Sequence, residues 1–136
     1  QPKNLAGKHG VNINALETPS SSGNFIGSAA PTGAGSNLKG LATQNQRYLH
    51  IRFKETNGTG RKIVAYGLIH AFGDDTWFAL NSTAGTAVET ATVTSGTDFK
   101  IFEIAGVDRV YFTYTGGGTL AGTDVVQAAG STFQGS

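Results

Sequence analysis

The chain has 136 residues, a mass of 14.0 kDa and a formal net charge of +1. That is enough for one hydrophobic core and short for two full domains. The absence of cysteine excludes disulfides, cysteine-held zinc, iron–sulfur clusters and thiol catalysis. The longest apolar run, residues 63–72, is about half of what a membrane-spanning helix needs, so no membrane partner is expected. No signal-peptide pattern opens the chain. Twenty glycines and 17 threonines against 8 leucines favour strands and turns over helices.

Residues 1–46 hold all three prolines (Pro2, Pro19, Pro31) and one aromatic, Phe25. The apolar residues there, Leu5, Val11, Ile13, Leu16, Phe25, Ile26, Leu38 and Leu41, are widely spaced. By itself such a segment buries too little surface to offset its ordering entropy. It is expected to be an extended arm, pinned against something else or disordered alone. Only Leu38 to Gln46 suggests a turn or two of helix.

Residues 47–136 hold the other twelve aromatics and are expected to form the folded domain. Leu49, Ile51 and Phe53 alternate with His50, Arg52 and Lys54, the pattern of a half-buried strand. Thr56-Asn57-Gly58-Thr59-Gly60 predicts a tight hairpin turn. Ile63 to Phe72 predicts a central strand, bulged or bent at Gly67. Gly73-Asp74-Asp75 reads as a turn and Trp77 to Leu80 as a short strand. Val88 to Thr94 alternates again, and Ser95 to Asp98 is expected to turn. Strands are predicted over Phe99 to Ile104 and Val107 to Thr115, broken at Ala105-Gly106. Val110, Phe112 and Tyr114 share one face of the second, which leaves Tyr111 on the other. Val125 to Ala129 closes the set, with Phe133 as a last anchor. The expected fold is all-β: an antiparallel, jelly-roll-like β-sandwich of seven to eight strands behind an extended N-terminal arm.

Charge is unevenly distributed. Residues 1–62 carry eight cations against two carboxylates, a net +6, and residues 63–136 carry two against seven, a net −5. The two halves suit head-to-tail pairing between copies, or pairing within one molecule. The near-neutral balance and the scattered basic residues give no nucleic-acid footprint.

No catalytic constellation is legible. His9, His50 and His70 have no HxH or HExxH spacing, so no metal site is expected. His50 and His70 lie on strands joined by the predicted hairpin; His50 should be exposed and His70 a core or face residue. Asp74 and Asp75 read as turn residues before paired acid–base groups. Glu103 and Asp108 have no partner by spacing. No serine sits in a Gly-x-Ser-x-Gly elbow. Gly116-Gly117-Gly118 lacks the lysine and helix of a phosphate loop. Trp77, Phe78, Tyr48, Tyr66, Tyr111 and Tyr114 are available for a sugar-stacking platform, but in a small sandwich aromatics serve more often as core or interface anchors.

The segment Phe99-Lys100-Ile101-Phe102-Glu103-Ile104-Ala105-Gly106-Val107-Asp108-Arg109-Val110-Tyr111-Phe112, in a Gly/Ser/Thr/Ala-rich, cysteine-free chain, resembles strand–turn–strand segments of small structural proteins of tailed bacteriophages. It is most similar to capsid decoration, or cement, proteins. The resemblance covers the last 90 or so residues and is compositional outside that segment. It implies a non-enzymatic virion protein on the capsid exterior, clustered with copies of itself, with a trimer favoured, and bound to a major capsid protein without a cofactor. Phe25, Ile26, Leu38 and Leu41 are expected to dock the arm on a partner, Lys3, Lys8 and Lys39 to meet acidic patches, and Tyr111 to anchor an interface. The alternatives are a carbohydrate-binding module or adhesin domain, and a tail or head-fibre component.

Overall fold

The computed structural model describes residues 11–16, 22–55, 62–72, 76–80, 96–115 and 125–132. Among these the chain is almost entirely β, with nine strands in two sheets. The strands are β1 (Val11–Asn12), β2 (Ile26–Gly27), β3 (Leu41–Ala42), β4 (Tyr48–Glu55), β5 (Lys62–Leu68), β6 (Trp77–Ala79), β7 (Gly96–Glu103), β8 (Arg109–Thr115) and β9 (Val125–Ser131). A four-residue helix, α1 (Ile13–Leu16), and two 3-10 turns, Ser36–Leu38 and His70–Phe72, complete the set.

One sheet has the order β1-β9-β4-β7 and is antiparallel throughout. The other has the order β2-β8-β5-β6, with β3 also paired to β8. In that sheet β2 runs parallel to β8 and the other pairs are antiparallel. Alternation decides what lies between the sheets. Leu49, Ile51 and Phe53 of β4 face inward with Phe102, Val126 and Ala128; Ile63 and Ala65 of β5 meet them with Val110, Phe112 and Tyr114 of β8. These residues are buried and form one apolar cluster, the main driving force for folding.

The described part of segment 1–46 is extended, but it is built into the sandwich. Ile26 pairs opposite Phe112 and Leu41 opposite Val110, so both enter the core and neither is exposed. Val11 and Ile13 enter it beside β9. A few widely spaced apolar residues suffice, because each lands where a sheet leaves an open edge whose backbone groups need partners.

The segment also covers the outer face of the second sheet. The Tyr111 hydroxyl donates to Gly23 O (2.9 Å) and the Trp77 indole N–H to Ser36 O (3.2 Å). Trp77 meets the Tyr111 ring edge-on, with centroids 5.8 Å apart. Tyr111 and Tyr114 are thus both buried on opposite faces of β8, whereas alternation alone predicts one of them outside.

Three local expectations give way to long-range pairing. β4 and β5 do not pair as a hairpin, because β4 has both edges occupied by β7 and β9; the turn expected at Thr56 to Gly60 lies outside the described residues. Residues 96–98 are the start of β7, paired with Glu55, Lys54 and Phe53, where a turn was expected. Gly67 is no bulge, since the register runs unbroken through it. A Cβ there would lie 2.9 Å from Leu80 Cδ2 and 3.1 Å from Val107 Cγ1, so any larger residue would have to displace the Leu80 side chain. The 63–72 run is strand only to Leu68; His70–Phe72 is a 3-10 turn. The proposed turns at 73–75 and 116–118, the strand at 88–94 and Phe133 lie outside the described residues.

Candidate functional site

The Ala105-Gly106 break places Asp108 and Arg109 at one corner of the second sheet, with Gly106 at φ +86°. Arg109 is paired with Leu68, which is paired in turn with Trp77. Its guanidinium donates to the carbonyls of Lys39 (2.7 Å), Gly40 (2.8 Å) and Leu38 (3.5 Å). Burial lowers the pKa of this guanidinium from the usual arginine value. The planar fork of donors suits several carbonyls at once, which a lysine does not match. Asp108 Oδ2 accepts the backbone N–H of His70 (2.8 Å). Both 3-10 turns therefore hang from two consecutive residues. Each ends in an exposed apolar side chain, Leu38 at 78% and Phe72 at 75%. Lys39 follows Leu38, with Nζ donating to Ser22 O (3.3 Å). The corner is a rigidly held apolar projection with an ammonium at its edge.

Of the partner-binding residues expected from sequence, Leu38 and Lys39 stand at this corner. Ile26, Leu41 and Tyr111 are buried within the chain and are not available to a partner, which corrects that expectation for all three. Their apolar surface is used by β8 and the arm itself. Phe25 is half-buried against the core. Lys3 and Lys8 lie outside the described residues. Sequence reasoning missed Phe72, placed in a strand, and Asp108 and Arg109. The basic-acidic pair beside a glycine break was the available signal.

The outer face of the first sheet carries no covering segment among the described residues. There β4 presents His50 and Arg52 beside Phe99 of β7 and Gln127 and Ala129 of β9, around a depression of about 290 Å³. His50 Nε2 is 2.8 Å from Ser131 Oγ, and Arg52 Nη1 donates to Gln127 Oε1 (2.9 Å). Burial lowers the His50 pKa from its ordinary 6.5, so the neutral ring dominates at neutral pH. Below about pH 6.5 the unfolded chain takes up this proton first, and stability falls as pH falls until the folded ring also protonates. Urea unfolding from about pH 7.5 to about pH 5 should show a smaller loss in His50→Gln than in the parent; equal losses would remove His50 from the account.

The two histidines are not brought together: His50 is on the first sheet and His70 is exposed on the corner of the second. The sugar-stacking platform named from sequence is not assembled either. Trp77 is half-buried and holds the arm, Tyr111 and Tyr114 are buried, and Tyr48 belongs to the other sheet. Glu103 pairs with Arg47 at 3.8 Å on the surface. Among the described residues no three or more His, Asp or Glu are grouped to hold a metal ion, and no helix is long and apolar enough to cross a membrane. No protein-family model matches the chain, and neither a curated protein nor a solved structure matches it.

Proposed function

We propose that the chain is a non-enzymatic virion structural protein that decorates and cements the outside of a phage head, bound to the major capsid protein and to copies of itself. The observation that carries the reading is the corner at Asp108 and Arg109. It holds Leu38 and Phe72 out in solvent on two pinned turns, with Lys39 next to Leu38. Large exposed apolar side chains on rigid supports are the form of an interface anchor, because little side-chain and loop entropy is lost on docking. Many such weak contacts over a shell add through avidity. The sandwich supplies a stiff body, and the built-in arm removes the entropy cost that a free arm would bring.

The test uses particles purified from the source of the chain. The chain should be present in a fixed ratio to the major shell protein and stay with the shells on sedimentation. Leu38→Asp with Phe72→Asp should reduce that retention at least tenfold, about 1.4 kcal/mol per contact set, with an unchanged unfolding midpoint. In solution, light scattering should give a trimer of the 14.0 kDa chain. Absence of the chain from the particles, or retention unaffected by the double variant, would overturn the reading.

A further inference from the structure

We infer that the outer face of the β1-β9-β4-β7 sheet is a binding site for a single acidic sugar ring, such as a uronic or sialic acid. This goes beyond attachment to a shell and uses the opposite sheet from the Leu38 and Phe72 corner. Four side chains with different chemistry converge on one depression. Phe99 is 53% exposed, a large apolar ring on the outer strand face. The apolar C–H face of a pyranose stacks on such a ring. Arg52 is held in place by its bond to Gln127, and one bond uses one of its five donors. A carboxylate is the group that a guanidinium fork binds in two-pronged fashion. Gln127 and His50 add an amide and an imidazole to the lining, and Ser131 holds the His50 ring. The His50 and Phe99 rings, with centroids 6.0 Å apart, form one wall.

Size and charge narrow the ligand. The depression is about 290 Å³, with the small Ala129 between His50 and Gln127. That is at the lower limit of small-molecule sites, room for one ring rather than a chain of them. With His50 neutral, Arg52 is the one cation among the described residues that line it. A single carboxylate matches this, whereas a polyphosphate backbone calls for a row of cations. A neutral sugar offers no anion for the guanidinium.

The test is an amide NMR titration of the full chain with glucuronic acid, N-acetylneuraminic acid, glucose and adenosine monophosphate. An acidic sugar should shift the signals of His50, Arg52, Phe99 and Gln127 with millimolar affinity, on the scale of one charged pair and one stacked ring. Glucose should bind at least tenfold more weakly. Arg52→Gln should abolish the preference for the acid, and Phe99→Ala should weaken both sugars, each with the thermal midpoint of the parent. No shift at tens of millimolar acidic sugar, equal shifts with glucose, stronger binding of adenosine monophosphate, or shifts confined to other residues would overturn the assignment. Shell retention of the Arg52 and Phe99 variants should match the parent, so this proposal and the decoration reading fail by separate measurements.

Discussion

Ile26→Ala should destabilise the fold by about 2–5 kcal/mol, the range of a fully buried large-to-small change. Ile26 has no exposed surface, sits opposite Phe112 and belongs to the central cluster. Truncating it leaves a void against the middle strand of the second sheet, and that strand cannot close the gap without disturbing β5. If residues 1–46 were an appendage, the change would be neutral in the isolated protein and visible only in partner binding. Chemical denaturation of the purified chain separates the two cases. A loss below about 0.5 kcal/mol, the size of a surface change, would return Ile26 to the role of a partner contact.

Gly40→Ala should cost about 2–5 kcal/mol, from a left-handed backbone strain of about 1–2 kcal/mol together with an overpacking cost of about 1–3 kcal/mol. Gly40 has φ +81°, and a Cβ on it would run into the Val110 carbonyl oxygen and come within 3.0 Å of Trp77 Cη2. The first neighbour is backbone in the centre of a sheet and has no freedom to move. Both backbone groups of Gly40 are also engaged: its N–H donates to Asn24 O (2.7 Å) and its carbonyl accepts from Arg109 (2.8 Å). Gly33 has almost the same φ, +82°, with no atom within 4 Å of its added Cβ. Gly33→Ala should therefore cost only about 1–2 kcal/mol, for the conformation alone. Equal losses for the two variants, read from urea midpoints, would show that close approach is not what Gly40 provides. The larger loss would also loosen the turn that carries Leu38, so shell retention should fall with it.

Much of the sandwich was legible along the chain. The alternation of Leu49, Ile51 and Phe53 with His50, Arg52 and Lys54 sets which side of β4 is inside, because side chains alternate across any strand. Val110, Phe112 and Tyr114 did the same for β8. The change in composition near residue 46 marked a segment with widely spaced apolar residues, but it carried no information on where that segment rests. The strongest local signal, Asn57-Gly58, predicted a hairpin that β4 and β5 do not form, since they belong to different sheets. Turn propensity acts over four residues, whereas β4 gains seven and eight paired positions from β9 and β7.

The sequence by itself determined the class of this protein: an all-β chain without thiol chemistry, with strand periods that place a single apolar face on each main strand. Only the tertiary structure decided which strands pair, that Ile26, Leu41 and Tyr111 serve the chain's own packing, and that Leu38 and Phe72 project from one corner. It also brought Arg52, Phe99 and Gln127 to one depression from three strands distant in the chain. The reason is physical. Alternation and turn chemistry are set by neighbours a few residues apart, whereas edges, cover and convergent side chains depend on pairing across the whole chain, where the gain in burial and hydrogen bonding outweighs local preference.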